Sequence, residues 1–224
     1  FPLLSLPPEL RLKIYTFHLH LPHTLDLDPS NPSTIAPRLL LLRTSHTVHE
    51  EAYRVFYSRN TFRVFPVHGR FFHTRAPLLA RLPPRYRAVL TRLELRVGPG
   101  WTGPPRGWVV DGGLGLGDAG AVWRVRVFVE CDPAASEIFE GFRVGKEFYT
   151  RFCVGLLGGL GEGLKGLREV EVDAYPSVGR GAPLVRGLVE EAEKRGLRVV
   201  WGPERGWDKV VDVGLAGVMQ KLSL

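Results

Sequence analysis

Cysteine is almost missing from this 224-residue chain: Cys131 and Cys153 are the only two. Two isolated thiols in a chain this long argue against a disulfide scaffold and for a reducing compartment. Neither has a Cys or His neighbour at a spacing useful for metal or redox chemistry, so both read as small apolar core residues. Lysine is scarce too, at positions 13, 146, 165, 194, 209 and 221, so arginine carries most of a net charge of +7. No apolar run approaches the length of a membrane span, since residues 39–42 are flanked at once by Arg38 and Arg43. No membrane partner is expected. The opening Phe1-Pro2 has neither an initiator Met nor a signal-peptide pattern and reads as a trimmed end or the start of a fragment.

Catalytic signatures are equally thin. There is no G-x-S-x-G, and Ser136 and Ser177 lack a recognisable His and Asp set. His46 and His49 stand at i and i+3 but do not make H-E-x-x-H, and His18, His20 and His23 form a loose cluster before Asp26 and Asp28. These histidines read as solvated or partner-facing rather than as metal ligands. Glu190, Glu191 and Glu193 beside Lys194 and Arg195 read as a solvated helix face. Two G-x-G-x-x-G matches begin at Gly115 and Gly161. A phosphate-binding fingerprint must leave a strand and open a helix. The first instead precedes a strand, and the second lies between a helix and a strand. The expectation is a protein that is not an enzyme and that holds no cofactor and no metal.

Arginine grips phosphate and carboxylate in bidentate fashion, so nucleic acid is a partner to consider, through residues such as Arg124, Arg126, Arg180 and Arg186. It is not favoured, because the arginines are dispersed and no basic run with interleaved aromatics occurs.

What the sequence does have is periodicity. Residues 1–60 read as helical, interrupted by a Pro/Ser/Asn/Asp-rich loop over 22–37. Strands are expected at 61–65, 90–97, 122–131, 167–174 and 197–201, and helices within 133–157 and over 182–195, the latter stopped by Gly196. Gly141 and Gly145 are expected to divide the former. Residues 69–88 mix apolar and basic residues at helical spacing until Pro83-Pro84. Residues 98–120, rich in Gly and Pro, read as a long exposed loop. Strand–helix alternation implies right-handed crossovers onto a mainly parallel sheet. The expected class is α+β: a small helical segment, 1–60, packed on an α/β region, 61–224. The phrases L-x-x-L-x-L at Leu90 and L-x-x-V-x-V at Leu167 hint at irregular leucine-rich repeats without a fixed period. Tyr175, Trp201, Arg205 and Trp207 follow two of the strands. They are expected to share one sheet edge as a target-binding surface.

The helical segment is the most informative part. Ser5 is placed to cap a helix with Pro7 and Pro8 in its first turn, and Leu6, Leu10, Ile14 and Phe17 recur as one stripe. A second, longer helix carries Leu41, Ser45, Val48, Ala52 and Val55 at the same spacing. Leu6-Pro-Pro-Glu-Leu-Arg-Leu-Lys-Ile14-Tyr15 resembles the opening of an F-box, Leu-Pro-x-Glu-Leu followed by an Ile on the same face. The run Leu41-Leu-Arg-Thr-Ser-His-Thr-Val-His-Glu-Glu-Ala52, continuing through Phe56-Tyr57-Ser58-Arg59-Asn60-Thr61-Phe62, resembles the second half of F-box-like proteins of filamentous fungi. The related fungal family with paired Glu-x-Arg motifs is matched at Glu9-Leu-Arg11, while Glu50-Glu51-Ala-Tyr-Arg54 stands where the second motif would be. The 22–37 insertion is longer than a standard F-box has. The resemblance implies an intracellular substrate receptor of a cullin–RING ubiquitin ligase, cytoplasmic or nuclear; the alternative is an F-box-derived structural domain that keeps the helices as part of its own core and binds no adaptor. Leu6, Pro7, Leu10 and Ile14 would face the adaptor subunit, Leu41, Leu42 and Val48 would build or extend that surface, and the rest would recruit a protein target.

Overall fold

The protein is described by a computed structural model over residues 2–26, 32–67, 77–98, 107–135, 145 and 147–207. Helices α1 (Pro8–Leu19), α2 (Pro32–Leu39) and α3 (His46–Arg59) come first, followed by β1 (Thr61–Arg63). Short helices α4 (Leu78–Arg81) and α5 (Pro84–Arg87) lead to β2 (Arg92–Val97) and β3 (Arg124–Val129). The chain then alternates α6 (Phe148–Gly163), β4 (Glu169–Ala174), α7 (Pro183–Lys194) and β5 (Arg198–Trp201). All five strands are parallel and lie in chain order, β1-β2-β3-β4-β5.

Chain order in a parallel sheet has a geometric consequence. Crossovers of the usual right hand that always step the same way keep every connection on one face. The strand sequences agree. Parallel strands covered on both faces are near-continuously apolar, yet β2 reads RLELRV, β3 RVRVFV and β4 EVEVDA. Leu93, Leu95, Val97, Val125, Val127, Val129, Val170, Val172 and Ala174 are fully buried in one core with Leu156, Leu157 and Leu160 of α6 and Leu184, Val185 and Leu188 of α7. The same core takes in Tyr15 and Leu19 of α1 and Val48, Ala52 and Phe56 of α3, so the N-terminal helices share it with the sheet. This is the α+β architecture expected, with its N-terminal helices and a wholly parallel sheet.

Several local expectations change. Ser5 does not cap α1: its hydroxyl donates to the Pro2 carbonyl, and Pro7 occupies the cap position. The second long helix begins only at His46. Ser45 is its N-cap and accepts from the Val48 amide at 3.2 Å, while Leu40–Arg43 form a separate 3-10 turn. Helix α2 begins inside the expected 22–37 loop, runs past it to Leu39 and carries Pro37 within it. Helix α6 runs to Gly163 across Gly155, Gly158, Gly159 and Gly161, further than the expected helical pattern. Gly141 falls outside the described residues.

The largest correction concerns 98–120. Of this segment the described part, 107–120, is no exposed loop. Trp108, Leu114, Leu116 and Ala119 are buried, Trp108 stacks on Phe65 at 4.9 Å, and 3-10 turns span Gly112–Leu114 and Leu116–Asp118. Its apolar residues cover the end of α6, which composition alone does not reveal. The two glycine motifs meet there. A Cβ on Gly163 would stand 2.3 Å from Leu116 Cδ1, and one on Gly166 would stand 2.2 Å from the Gly120 carbonyl oxygen. Gly115 takes φ +65° and closes on the Arg87 guanidinium. These glycines serve close packing.

Candidate interaction surfaces

Helix α1 carries apolar residues on more than one side, so burying one side leaves another uncovered. Its inner side is Arg11, Tyr15 and Leu19. Tyr15 and Leu19 are buried. Arg11 holds Glu51 of α3 through both carboxylate oxygens, at 2.9 and 2.5 Å, and Tyr15 donates to the same carboxylate at 3.0 Å. The hydrogen bonds from Arg11 hold the Glu51 carboxyl below its ordinary pKa, and burial raises that of the Tyr15 phenol. Asn60, itself buried, stitches the far end of α1 to α3. Its amide donates to the Leu19 and Phe56 carbonyls and its oxygen accepts from the Leu21 amide. The sequence signal for these roles was the Glu-x-Arg and Asn-Thr-Phe phrases, which gave no partners.

The opposite side of α1 is bare. Leu10, Ile14 and Phe17 are 44%, 42% and 90% exposed, and Leu12 and Leu40 are exposed as well. Pro7 is exposed and Leu6 half-buried at the same end. Leu41 and Leu42 are half-buried against the core, while Val48 lies inside it, so Val48 supports this surface only from beneath.

The second surface is the charged face of the sheet, turned away from the shared apolar core, where register fixes three rows of side chains. The middle row alternates in sign: Arg63, Glu94, Arg126, Glu171. Glu94, 2% exposed, lies 3.1 Å from Arg63 and accepts from the Thr24 hydroxyl at 2.6 Å, and Asp26 adds a second partner for Arg63. Arg126 reaches Asp173 at 2.7 Å, Glu204 at 3.2 Å and Glu171 at 3.5 Å. Toward the strand C-termini, Arg96, Phe128 and Asp173 form another row. Arg96 pairs with Glu130 and donates to the Tyr175 hydroxyl at 2.6 Å. Asp173 is fully buried and also accepts from the Glu204 and Arg205 amides, which folds the loop after β5 over it. Gly202 permits this, since a Cβ there would meet the Asp173 carboxyl at 2.4 Å.

The predicted aromatic edge divides between the two faces. Trp201 pairs in register with the core residue Val172, packs on the core, and lies 4.7 Å from Trp207, beside Arg205. Tyr175 continues the parity of Glu171 and Asp173 and packs edge-on against Phe128 on the other face. Two residues per strand period put Trp201 and Tyr175 on opposite sides, while Arg205 donates to the Val178 carbonyl, in the turn after Tyr175, at 2.6 Å.

The histidines serve other ends. The ring nitrogens of His49 lie 2.8 Å from the Leu42 carbonyl and 3.1 Å from the Tyr86 hydroxyl. Among the described residues no group of three or more His, Cys, Asp or Glu side chains could hold a metal ion. Cys153 is buried, which pushes its thiol pKa up. No helix of the described residues is long and apolar enough to cross a membrane.

The molecule is therefore an α+β protein with a parallel sheet, one face apolar and the other charged, and an exposed apolar stripe on its first helix. Comparison with protein-family models, with curated proteins and with solved structures finds no match to this chain.

Proposed function

We propose that this chain is a non-enzymatic interaction module, an F-box-like substrate receptor of a cullin–RING ubiquitin ligase. It would present Leu10, Ile14 and Phe17 of α1 to the ligase adaptor and use its α/β part, with a leucine-rich-repeat-like sheet, to recruit a protein target. Such a receptor works in the cytoplasm or the nucleus. The observation that carries the reading is the uncovered apolar stripe on a helix whose other side is firmly held by Arg11, Tyr15 and Leu19. A contiguous apolar patch on a folded surface marks a place where something docks; Leu10 and Ile14 in this one are residues the F-box resemblance assigns to the adaptor, and Phe17 extends it. Nucleic acid is a weaker reading, because Arg124 and Arg126 are engaged by Glu169, Glu171, Asp173 and Glu204. The test is co-purification of the chain with the ligase adaptor and a cullin. Capture that is lost in a Leu10→Asp/Ile14→Asp variant supports the reading. A folded chain that ignores the adaptor refutes it.

A further inference from the structure

The three rows on the charged sheet face are not equivalent. In the middle row every arginine faces a carboxylate on the next strand. In the row at the strand N-termini the order is Thr61, Arg92, Arg124, Glu169, Arg198, so Arg92 and Arg124 stand directly opposite one another. Like charges directly opposite on one sheet face repel. Arg124 is partly answered by Glu169 at 2.5 Å and Glu171 at 2.9 Å, and Arg198, 76% exposed, shares Glu169 only at 3.7 Å. Arg92 has no carboxylate within ion-pair distance among the described residues. Its guanidinium donates to the Arg59 carbonyl at 2.5 Å. Burial first, and then the charges of Arg124 and Arg59, hold its pKa below the ordinary guanidinium value. Trp123, more than a third exposed, flanks the row with the Arg124 guanidinium over its ring at 4.7 Å.

We propose that Arg59, Arg92, Arg124 and Arg198, with Trp123 at their side, form a receptor site for a single phosphate-bearing side chain of a partner protein. The charge count argues for the anion: Arg59, Arg92, Arg124 and Arg198 are set against two carboxylates, Glu169 and Glu171, both of which Arg124 already holds, and a phosphate dianion meets several guanidinium forks at once where a carboxylate meets one. The neighbouring row argues for a single anionic group. It lies roughly 7 Å further along the strands and is charge-balanced, with Arg63 and Arg126 already held by Glu94, Glu171 and Asp173, so it offers no free cation to the next phosphate of a polyanion such as nucleic acid. A peptide instead can place one phosphate on the arginines, rest a flanking residue on Trp123 and lay neutral backbone over the mixed-charge rows. This site is independent of α1 and its adaptor.

The test is isothermal titration of the full chain with a short glycine–alanine peptide carrying one phosphoserine. The same peptide with serine, the same peptide with glutamate, and oligothymidine serve as comparisons. The phosphopeptide is expected to bind at least about tenfold more tightly than either peptide analogue, and Arg92→Gln and Arg124→Gln each to cost about tenfold or more. Lys194→Gln, exposed at the end of α7, should leave binding unchanged. Thermal unfolding separates this from a structural role: Arg92→Gln relieves repulsion and keeps a donor for the Arg59 carbonyl, so its midpoint should not fall. Equal binding of the serine and phosphoserine peptides, absence of binding, or tighter binding of oligothymidine with a steep salt dependence would overturn the proposal.

Discussion

Helix α1 offers a sharp experiment, because residues one step apart on it face different worlds. Leu10 is the third residue of the helix and 44% exposed. Replacing it by Asp places a negative charge in the first turn, where the helix dipole favours it by a few tenths of a kcal/mol, about offsetting the poorer helix propensity. Ile14→Asp loses only the part of its side chain that is covered. Over half of each side chain is covered, so the double variant should cost about 2–3 kcal/mol, or about 4–12 °C in a domain of this size. Tyr15→Ala, one position on, removes a fully buried ring that also donates to Glu51, and should cost about 3–5 kcal/mol. Binding should show the reverse order. Covering the exposed fractions of Leu10, Ile14 and Phe17 contributes ~4 kcal/mol at the usual side-chain transfer values, close to three powers of ten in Kd. Circular-dichroism melting and titration with the purified adaptor read the two quantities separately. A double variant that unfolds as readily as Tyr15→Ala would show the stripe to be core. One that keeps both its midpoint and its affinity would remove α1 from the docking surface.

Three further outcomes are expected. Gly155 lies in α6 with open space where a Cβ would go, so Gly155→Ala should raise stability by about 0.5–1 kcal/mol; Gly166→Ala drives a Cβ into the Gly120 carbonyl and should lower it, both read by urea denaturation. Asp173→Ala strips Arg126 and two loop amides of their acceptor. With Arg126 a quarter exposed and still near Glu171 and Glu204, the cost should sit at the low end for a broken buried pair, about 3 kcal/mol, with faster proteolysis after Trp201. Alkali and acid should act on different elements. Tyr57 is pushed up to about 12, first by burial and then by Tyr86, so the fold favours its neutral form; that contribution is whole below pH ~10 and lost as pH rises toward 12, which phenolate absorbance and melting follow together. Glu51, lowered by Arg11, contributes above the ordinary glutamate range and loses that contribution as pH falls through its lowered value, which should loosen α1 from α3 before the sheet melts, as amide exchange would show.

Strand positions and the α+β class were legible because both rest on short-range pattern: RLELRV and EVEVDA alternate whatever else the chain does. The alternation even carried the contrast between the sheet's apolar and charged faces, since parallel strands buried on both faces would not alternate. The apolar stripe of α1 was legible as a stripe. Its direction was not, because Tyr15 and Leu19 on the adjacent side are equally apolar, and only the Arg11–Glu51 pair and the Asn60 bonds decide which side α3 takes. The segment 107–120 was misjudged for a related reason. Its glycines suggest looseness, whereas Gly115, and Gly163 and Gly166 beyond it, are there because other groups come too close for a Cβ. Tyr175 and Trp201 were joined through the shared edge of their strands, and strand parity separates them.

The face of this parallel sheet turned away from the apolar core is filled with charge. Where the signs alternate across strands, as from Arg63 through Glu94 and Arg126 to Glu171, each side chain answers its neighbours and the row needs nothing from outside. The geometry of the next row is the same, with the same strands and the same spacing, so alternation was equally open to it. A Glu at 92 in place of Arg would have faced Arg124 and completed the pattern. Instead Arg92 faces Arg124, with Arg59 and Arg198 close by and Glu169 the lone carboxylate of the row. Stability alone does not account for that choice when the alternation that satisfies it lies one row away. A cationic row kept at a cost to the fold is accounted for by an anion that arrives from elsewhere.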